Sequence, residues 1–167
     1  MASLEAPRAL KQNERQLARH LTKLLRHGKP RRLDFRPDGF VRLTDCAGVA
    51  GFAPLDLSLA QAIVAEDNKQ RFSLREEVGG EWWIRANQGH TVSGLDPDQL
   101  LTRVTDPAQL PTVVHGTYRA AWPLIRAGGL SRMERNHAHF APGLPKADGV
   151  ISGMRATSEV HTHPRSV

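Results

Sequence analysis

The sequence predicts an α+β chain in two parts: three helices and a hairpin, then a smaller mixed segment. Three observations carry this. Leu17, Leu21, Leu24 and Leu25 recur on one face at helical spacing. Two alternating stretches, RFSLREEV and EWWIRANQ, flank the pair Gly79-Gly80. Residues 93–111 gather Pro97, Pro107 and Pro111 with further turn residues, as a connection between two folded parts does.

The elements follow in order. Asn13 is the expected cap of the first helix, with Gln16 three residues on, and Gly28 and Pro30 end it. Arg26 and His27 then fall in its last turn, where two cations complement the helix dipole. Pro37-Asp38-Gly39 is a turn, and Phe40, Val41 and Leu43 form a short strand. Thr44 opens a brief helix. Ser58 caps a stronger one, with Leu59, Ala62 and Ile63 inward. The hairpin follows, with Gly79-Gly80 as a two-residue loop. Its register pairs Val78 with Glu81 and sets Arg71 opposite Gln88, with His90 near the same open end. Three helices before a hairpin is the order of a winged helix.

Beyond the connection, Thr112 to Val114 read as a buried strand. His115-Gly116-Thr117 turn into a helix that Gly128-Gly129 stop. HAHFAPGLP is a second short strand and GVISGMR a third apolar run. The expected division is a disordered terminus at 1–12, a first lobe at 13–92, a linker at 93–111 and a second lobe at 112–167.

Composition bounds the function. With 167 residues, one large domain or two small lobes are expected. Lys and Arg outnumber Asp and Glu by 23 to 17, which suits an anionic partner such as nucleic acid. The lone Cys46 excludes a disulfide framework and fits a reducing compartment, cytoplasmic or nuclear. No apolar run is long enough for a membrane span, and MASLEAPRAL lacks an apolar signal core. A monomer is the default.

The chemistry-bearing residues are His and Arg. The pairs His137/His139 and His161/His163 have the alternate spacing of metal ligands, but no Cys, Asp or Glu cluster accompanies them, so no metal is expected. No phosphate-binding glycine loop or nucleophile elbow is present. What remains is Arg26, His27, Arg71, Arg85, His90, His115, His139 and Arg155, all near turns. Guanidinium groups present paired donors that fit phosphate oxygens. Spacing alone does not separate this reading from scattered surface charge.

The ordered pieces LLRHGKP, DNKQRF, IRANQGH, VHGTYRAAWPLI, NHAHFAPGLP and GVISGMR resemble the RNA 2'-phosphotransferase family from about Asn13 to Glu159. Two departures stand out: ARHLT replaces the family's Ser-Lys-x-Leu-Ser, and Thr91 replaces a Ser after His90. The resemblance implies a winged-helix lobe before an ADP-ribosyltransferase-like lobe, and NAD+ as cosubstrate. It implies transfer of an RNA 2'-phosphate to ADP-ribose, through an RNA-phospho-ADP-ribosyl intermediate. Products are 2'-hydroxyl RNA, ADP-ribose 1'',2''-cyclic phosphate and nicotinamide. Arg26, His27, Arg71 and Arg155 match the family's catalytic set. His115, Gly116, Thr117, His139, Ser152 and Gly153 match its NAD+ site. Arg85, Gln88 and His90 are assigned to RNA substrate binding. Family members continue past Arg155 with further strands, the first at about Glu159. EVHTHPRSV is polar and carries Pro164, so it reads as neither a core strand nor a segment of that family, and the second lobe is expected to be incomplete. Rival expectations are a catalytically dead RNA-binding winged helix and an ADP-ribosyltransferase acting on nucleic-acid phosphates.

Overall fold

A computed structural model of the chain describes residues 9–28, 33–144 and 154–163. The chain divides into two compact units, Met1–Thr102 and Arg103–Val167. It is a mixed α+β protein with small antiparallel sheets.

The first unit runs α1 (Gln12–His27), β1 (Val41–Arg42), α2 (Leu43–Gly48), α3 (Leu57–Glu66), β2 (Phe72–Glu77), β3 (Glu81–Ala86) and α4 (Pro97–Leu100). Its three strands are ordered β1-β3-β2, all antiparallel. One face of α1 supplies Leu21 and Leu25, both fully buried. They pack with Leu59, Ala60 and Ile63 of α3 and with Val41, Phe72, Ile84 and Ala86 of the sheet. Leu10 joins this core, so the stretch expected to be disordered is ordered at least from there. Cys46 is buried in the same core, and its thiol is pushed up to about 12 by burial and by Asp45.

The opposite face of the sheet is built from stacked cations. Arg36 and Arg42 lie 4.9 and 5.2 Å from the Trp83 ring centre. Arg75 and Arg85 lie 4.0 and 4.8 Å from that of Phe40. Glu77 and Asp38 neutralise Arg36 and Arg75.

Three local expectations are corrected. Lys11, not Asn13, occupies the cap position of α1, and the Glu14 carboxylate accepts its N–H at 2.8 Å. A carboxylate at the positive end of a helix is a stronger acceptor than the expected Gln16 amide. Asp56, not Ser58, caps α3, accepting from the Leu59 N–H at 2.7 Å. The hairpin loop has three residues, because Glu77 pairs with Glu81. Gly79 and Gly80 both take positive φ, 97° and 80°, and Val78 projects fully into solvent. Register therefore slips by one residue. Asn87, not Gln88, meets Arg71, its N–H donating to the Arg71 carbonyl at 2.7 Å.

The second unit holds β4 (His115–Thr117), α5 (Trp122–Gly128) and β5 (Val160–Thr162). β4 and β5 are antiparallel, with Gly116 level with His161. The tail from Glu159 is expected to be no core strand, and β5, with Thr162 buried, corrects this. Val160 and Thr162 are β-branched, and the Glu159 N–H donates to the Thr117 carbonyl at 2.8 Å, which starts the pairing. The strand expected at 112–114 begins instead at His115, with Val114 only bridging Ala141. α5 begins at Trp122 rather than directly after Thr117, and Gly129 ends it with φ 83°. Most of GVISGMR, including Ser152 and Gly153, lies outside the described residues. Among the described residues no helix is long and apolar enough to cross a membrane.

Candidate active site

In the first unit, the last turn of α1 and the segment after β3 hold each other. The Thr91 N–H donates to the Arg26 carbonyl at 2.9 Å. The Thr91 hydroxyl is 3.0 Å from His27 Nδ1, which orients the imidazole. The Arg26 side chain crosses the open face of Gly89, which has φ 86°. A Cβ there would sit 3.2 Å from Arg26 Nε and 3.3 Å from Cζ. Gly89 thus serves twice, supplying a left-handed turn and a flat seat for a guanidinium. At the C-terminus of α1, Gly28 has φ −60°, so the helix does not end in a left-handed cap. It is glycine because a Cβ would strike the Leu24 carbonyl.

Arg71 is fixed by Asp67, four residues earlier at the end of α3. Asp67 accepts both the Arg71 backbone N–H and its Nη1, the latter at 2.5 Å. The Asp67 side chain is only 4% exposed and that of Arg71 35%. A nearly buried carboxylate thus aims a guanidinium that keeps part of its surface in solvent. Asn87 braces the same junction, donating to the Gln70 carbonyl at 2.8 Å and accepting from Ser73 at 2.7 Å.

Of the remaining expected substrate residues, Arg85 donates to the Asp38 carbonyl at 2.8 Å and stacks on Phe40. His90 is 2% exposed and packs near Gly39. Gln88 is half-buried just before Gly89.

The second unit contains a cavity of about 660 Å³. His115, Thr117 and His139 line it, together with Arg132, Arg135 and His137. His115 Nδ1 is 2.9 Å from the His139 carbonyl, and its ring meets Phe140 edge-on with centres 5.9 Å apart. Gly116 is glycine for the sake of internal packing: a Cβ would fall within 2.9 Å of Met154 and Ser158. Arg155 donates to the Tyr118 hydroxyl at 3.5 Å, and that hydroxyl lies 3.1 Å from Thr157. The Thr157 hydrogen bond, followed by Arg155, draws the Tyr118 pKa below its ordinary value. Among the described residues no group of three or more His, Cys, Asp or Glu could hold a metal ion.

Sequence reading singled out the cations but missed what holds them: Asp67, Gly89 and Tyr118. Only the four-residue spacing of Asp67 and Arg71 and the lone Gly after a strand were available as signals.

Guanidinium and imidazole groups held by neighbouring side chains define a class, α+β proteins with preset surface cations, an arrangement that suits an anionic ligand. A model of the RNA 2'-phosphotransferase, Tpt1 / KptA family matches residues 12–163, and the chain belongs to this family. It is 43% identical to tRNA 2'-phosphotransferase 1 of Mus musculus over 148 residues, covering 87% of the chain and 59% of that protein. It is 39% identical to tRNA 2'-phosphotransferase 1 of Homo sapiens over 158 residues, 93% and 62% respectively. For the Danio rerio protein of the same name the identity is 38% over 146 residues, 86% and 65%. The chain thus spans less than two thirds of the length of these relatives.

Proposed function

We propose that the chain removes the 2'-phosphate from RNA, at tRNA splice junctions, with NAD+ as cosubstrate. The observation that carries this is the family match over residues 12–163, which includes Arg26, His27, Arg71 and Arg155. The order α1-β1-α2-α3-β2-β3 with sheet order β1-β3-β2 supports reading the first unit as a winged-helix lobe. The second unit is read as ADP-ribosyltransferase-like. Its cavity is in the size range of small-molecule sites, and it offers ring nitrogens and a hydroxyl suited to ribose and amide groups.

In this reading an oxygen of the RNA 2'-phosphate attacks the anomeric carbon of the nicotinamide ribose, displacing nicotinamide with the C–N electron pair. The adjacent ribose 2''-hydroxyl then attacks phosphorus. The bond to the RNA 2'-oxygen breaks, and that oxygen takes a proton. Within the first unit, Arg26 and Arg71 are read as binding phosphoryl oxygens and stabilising charge building on them, and Arg155 of the second unit is read as a further phosphate-binding cation. His27, oriented by Thr91, is the group placed for proton transfer. The protein acts in cytoplasm or nucleus, as a monomer.

The test is incubation of the purified chain with a 2'-phosphorylated RNA oligonucleotide and NAD+. ADP-ribose 1'',2''-cyclic phosphate and nicotinamide are expected in equal amounts, and Arg71→Ala is expected to abolish both. If a full-length relative releases them under the same conditions and this chain does not, the proposal fails for this chain.

A further inference from the structure

Arg15, Arg19, Lys23 and His27 follow one another at four-residue intervals along α1, so they form one stripe on its surface. At 1.5 Å per residue the stripe is about 18 Å long, and it ends at the residue assigned to proton transfer. The opposite face carries Leu21 and Leu25 into the core. Like charges at this spacing oppose one another, so Arg19 and Lys23 in the middle of the stripe add nothing to the helix itself.

Arg15, Arg19 and Lys23 line a groove of about 400 Å³ shared with Asp67, Arg71 and Phe72. Two of its cations already have carboxylates: Arg15 is 3.5 Å from Glu66 and Arg71 is held by Asp67. Arg19 and Lys23 are exposed, and among the described residues neither forms an ion pair. Phe72, the aromatic residue of the lining, is 6% exposed and has no face to offer a base. The groove therefore has charge to offer and no stacking surface.

The geometry points to a track for the RNA backbone. Arg19 and Lys23 hold phosphates of the nucleotides next to the one that presents its 2'-phosphate to Arg71. The inference rests on the function proposed above, and adds how the strand is held and that it is held without regard to base sequence.

The experiment is fluorescence anisotropy without NAD+, using a 2'-phosphorylated RNA octamer and a 2'-phosphorylated dinucleotide over a salt series. The double variant R19Q/K23Q is expected to weaken octamer binding about tenfold at low salt. It should reduce the slope of log K against log salt by about 1.4, since each neutralised phosphate on a single strand contributes about 0.7. R119Q/R126Q removes the same charge from exposed positions of the second unit and is expected to leave the slope in place. An unchanged slope in R19Q/K23Q overturns the track, as does an equal fall in R119Q/R126Q. An equal loss on the dinucleotide, too short to reach both side chains, also overturns it. Because these measurements omit NAD+, failure of the chain to release cyclic phosphate counts against the function alone, and the slopes decide the track.

Discussion

Gly89 illustrates how a single residue can set a guanidinium in place. Its φ of 86° is one that side chains rarely adopt, and a Cβ would press on Arg26 Nε at 3.2 Å. Gly89→Ala is expected to cost about 1–3 kcal/mol of stability through backbone strain. It is also expected to lower turnover, because Arg26 is displaced by a few tenths of an ångström from its seat; urea unfolding and cyclic phosphate release read the two effects. Thr91 acts through its hydroxyl on His27. Thr91→Val, which keeps shape and removes the hydroxyl, is expected to lower kcat about tenfold, and Thr91→Ser is expected to restore most of it. Tyr118 is the chain's one tyrosine, so absorbance titration reads it alone. Its folded pKa is lowered, so the deprotonated form is favoured in the fold. Any resulting stabilisation is present above the ordinary tyrosine value and is lost as pH falls through the folded pKa. The midpoint is expected below the ordinary value. Thr157→Val and Arg155→Ala should each raise it, since both partners lower it in the fold. At this scale the cations Arg26, His27, Arg71 and Arg155 were legible from motif wording. Their holders were not, because a hydrogen-bond partner is defined by where the chain returns, as Thr91 returns to His27 across 64 positions.

Among the elements, α1 carries the most. One face is core, another is a cationic stripe, and its C-terminal turn bears Arg26 and His27. Leu25 is fully buried one residue before Arg26. Leu25→Ala is expected to destabilise the chain by about 2–5 kcal/mol, measured by chemical denaturation of the first unit's helical signal. The helix was legible because the leucine spacing is a property of a single element. The hairpin was legible as a hairpin, from alternation around Gly79-Gly80, but its register was not. Loop length depends on which residues take positive φ, and Val78 was drawn out of the ladder into the loop. Short strands fared worst. β5 is three residues of mixed polarity and exists because β4 offers it an edge. Nothing periodic in EVHTHPRSV announces that partner.

For the whole molecule, the division after Thr102 leaves residues 101–111 exposed without interruption. Limited trypsin digestion is expected to cut first after Arg103, giving two fragments separable by mass spectrometry. Persistent protection of Arg103 at enzyme levels that cut elsewhere would contradict this. The Pro-rich composition of this stretch signalled a connection. Just before it, α4 buries Leu100 against the first unit, whereas the 3-10 turn at Pro107–Gln109 is exposed and is capped locally by Asp106.

By itself the sequence determined the mixed α+β class, the amphipathic first helix and the existence of the hairpin, and it nominated the cations of the candidate site, because periodicity, glycine pairs and motif wording are local and survive in one dimension. Only the tertiary structure decided the caps, the hairpin register, the pairing of β4 with β5 and the groups that hold Arg26, His27, Arg71 and Arg155. Each of these joins residues that the chain brings near one another only by folding, and no local pattern encodes which of several chemically adequate partners will arrive.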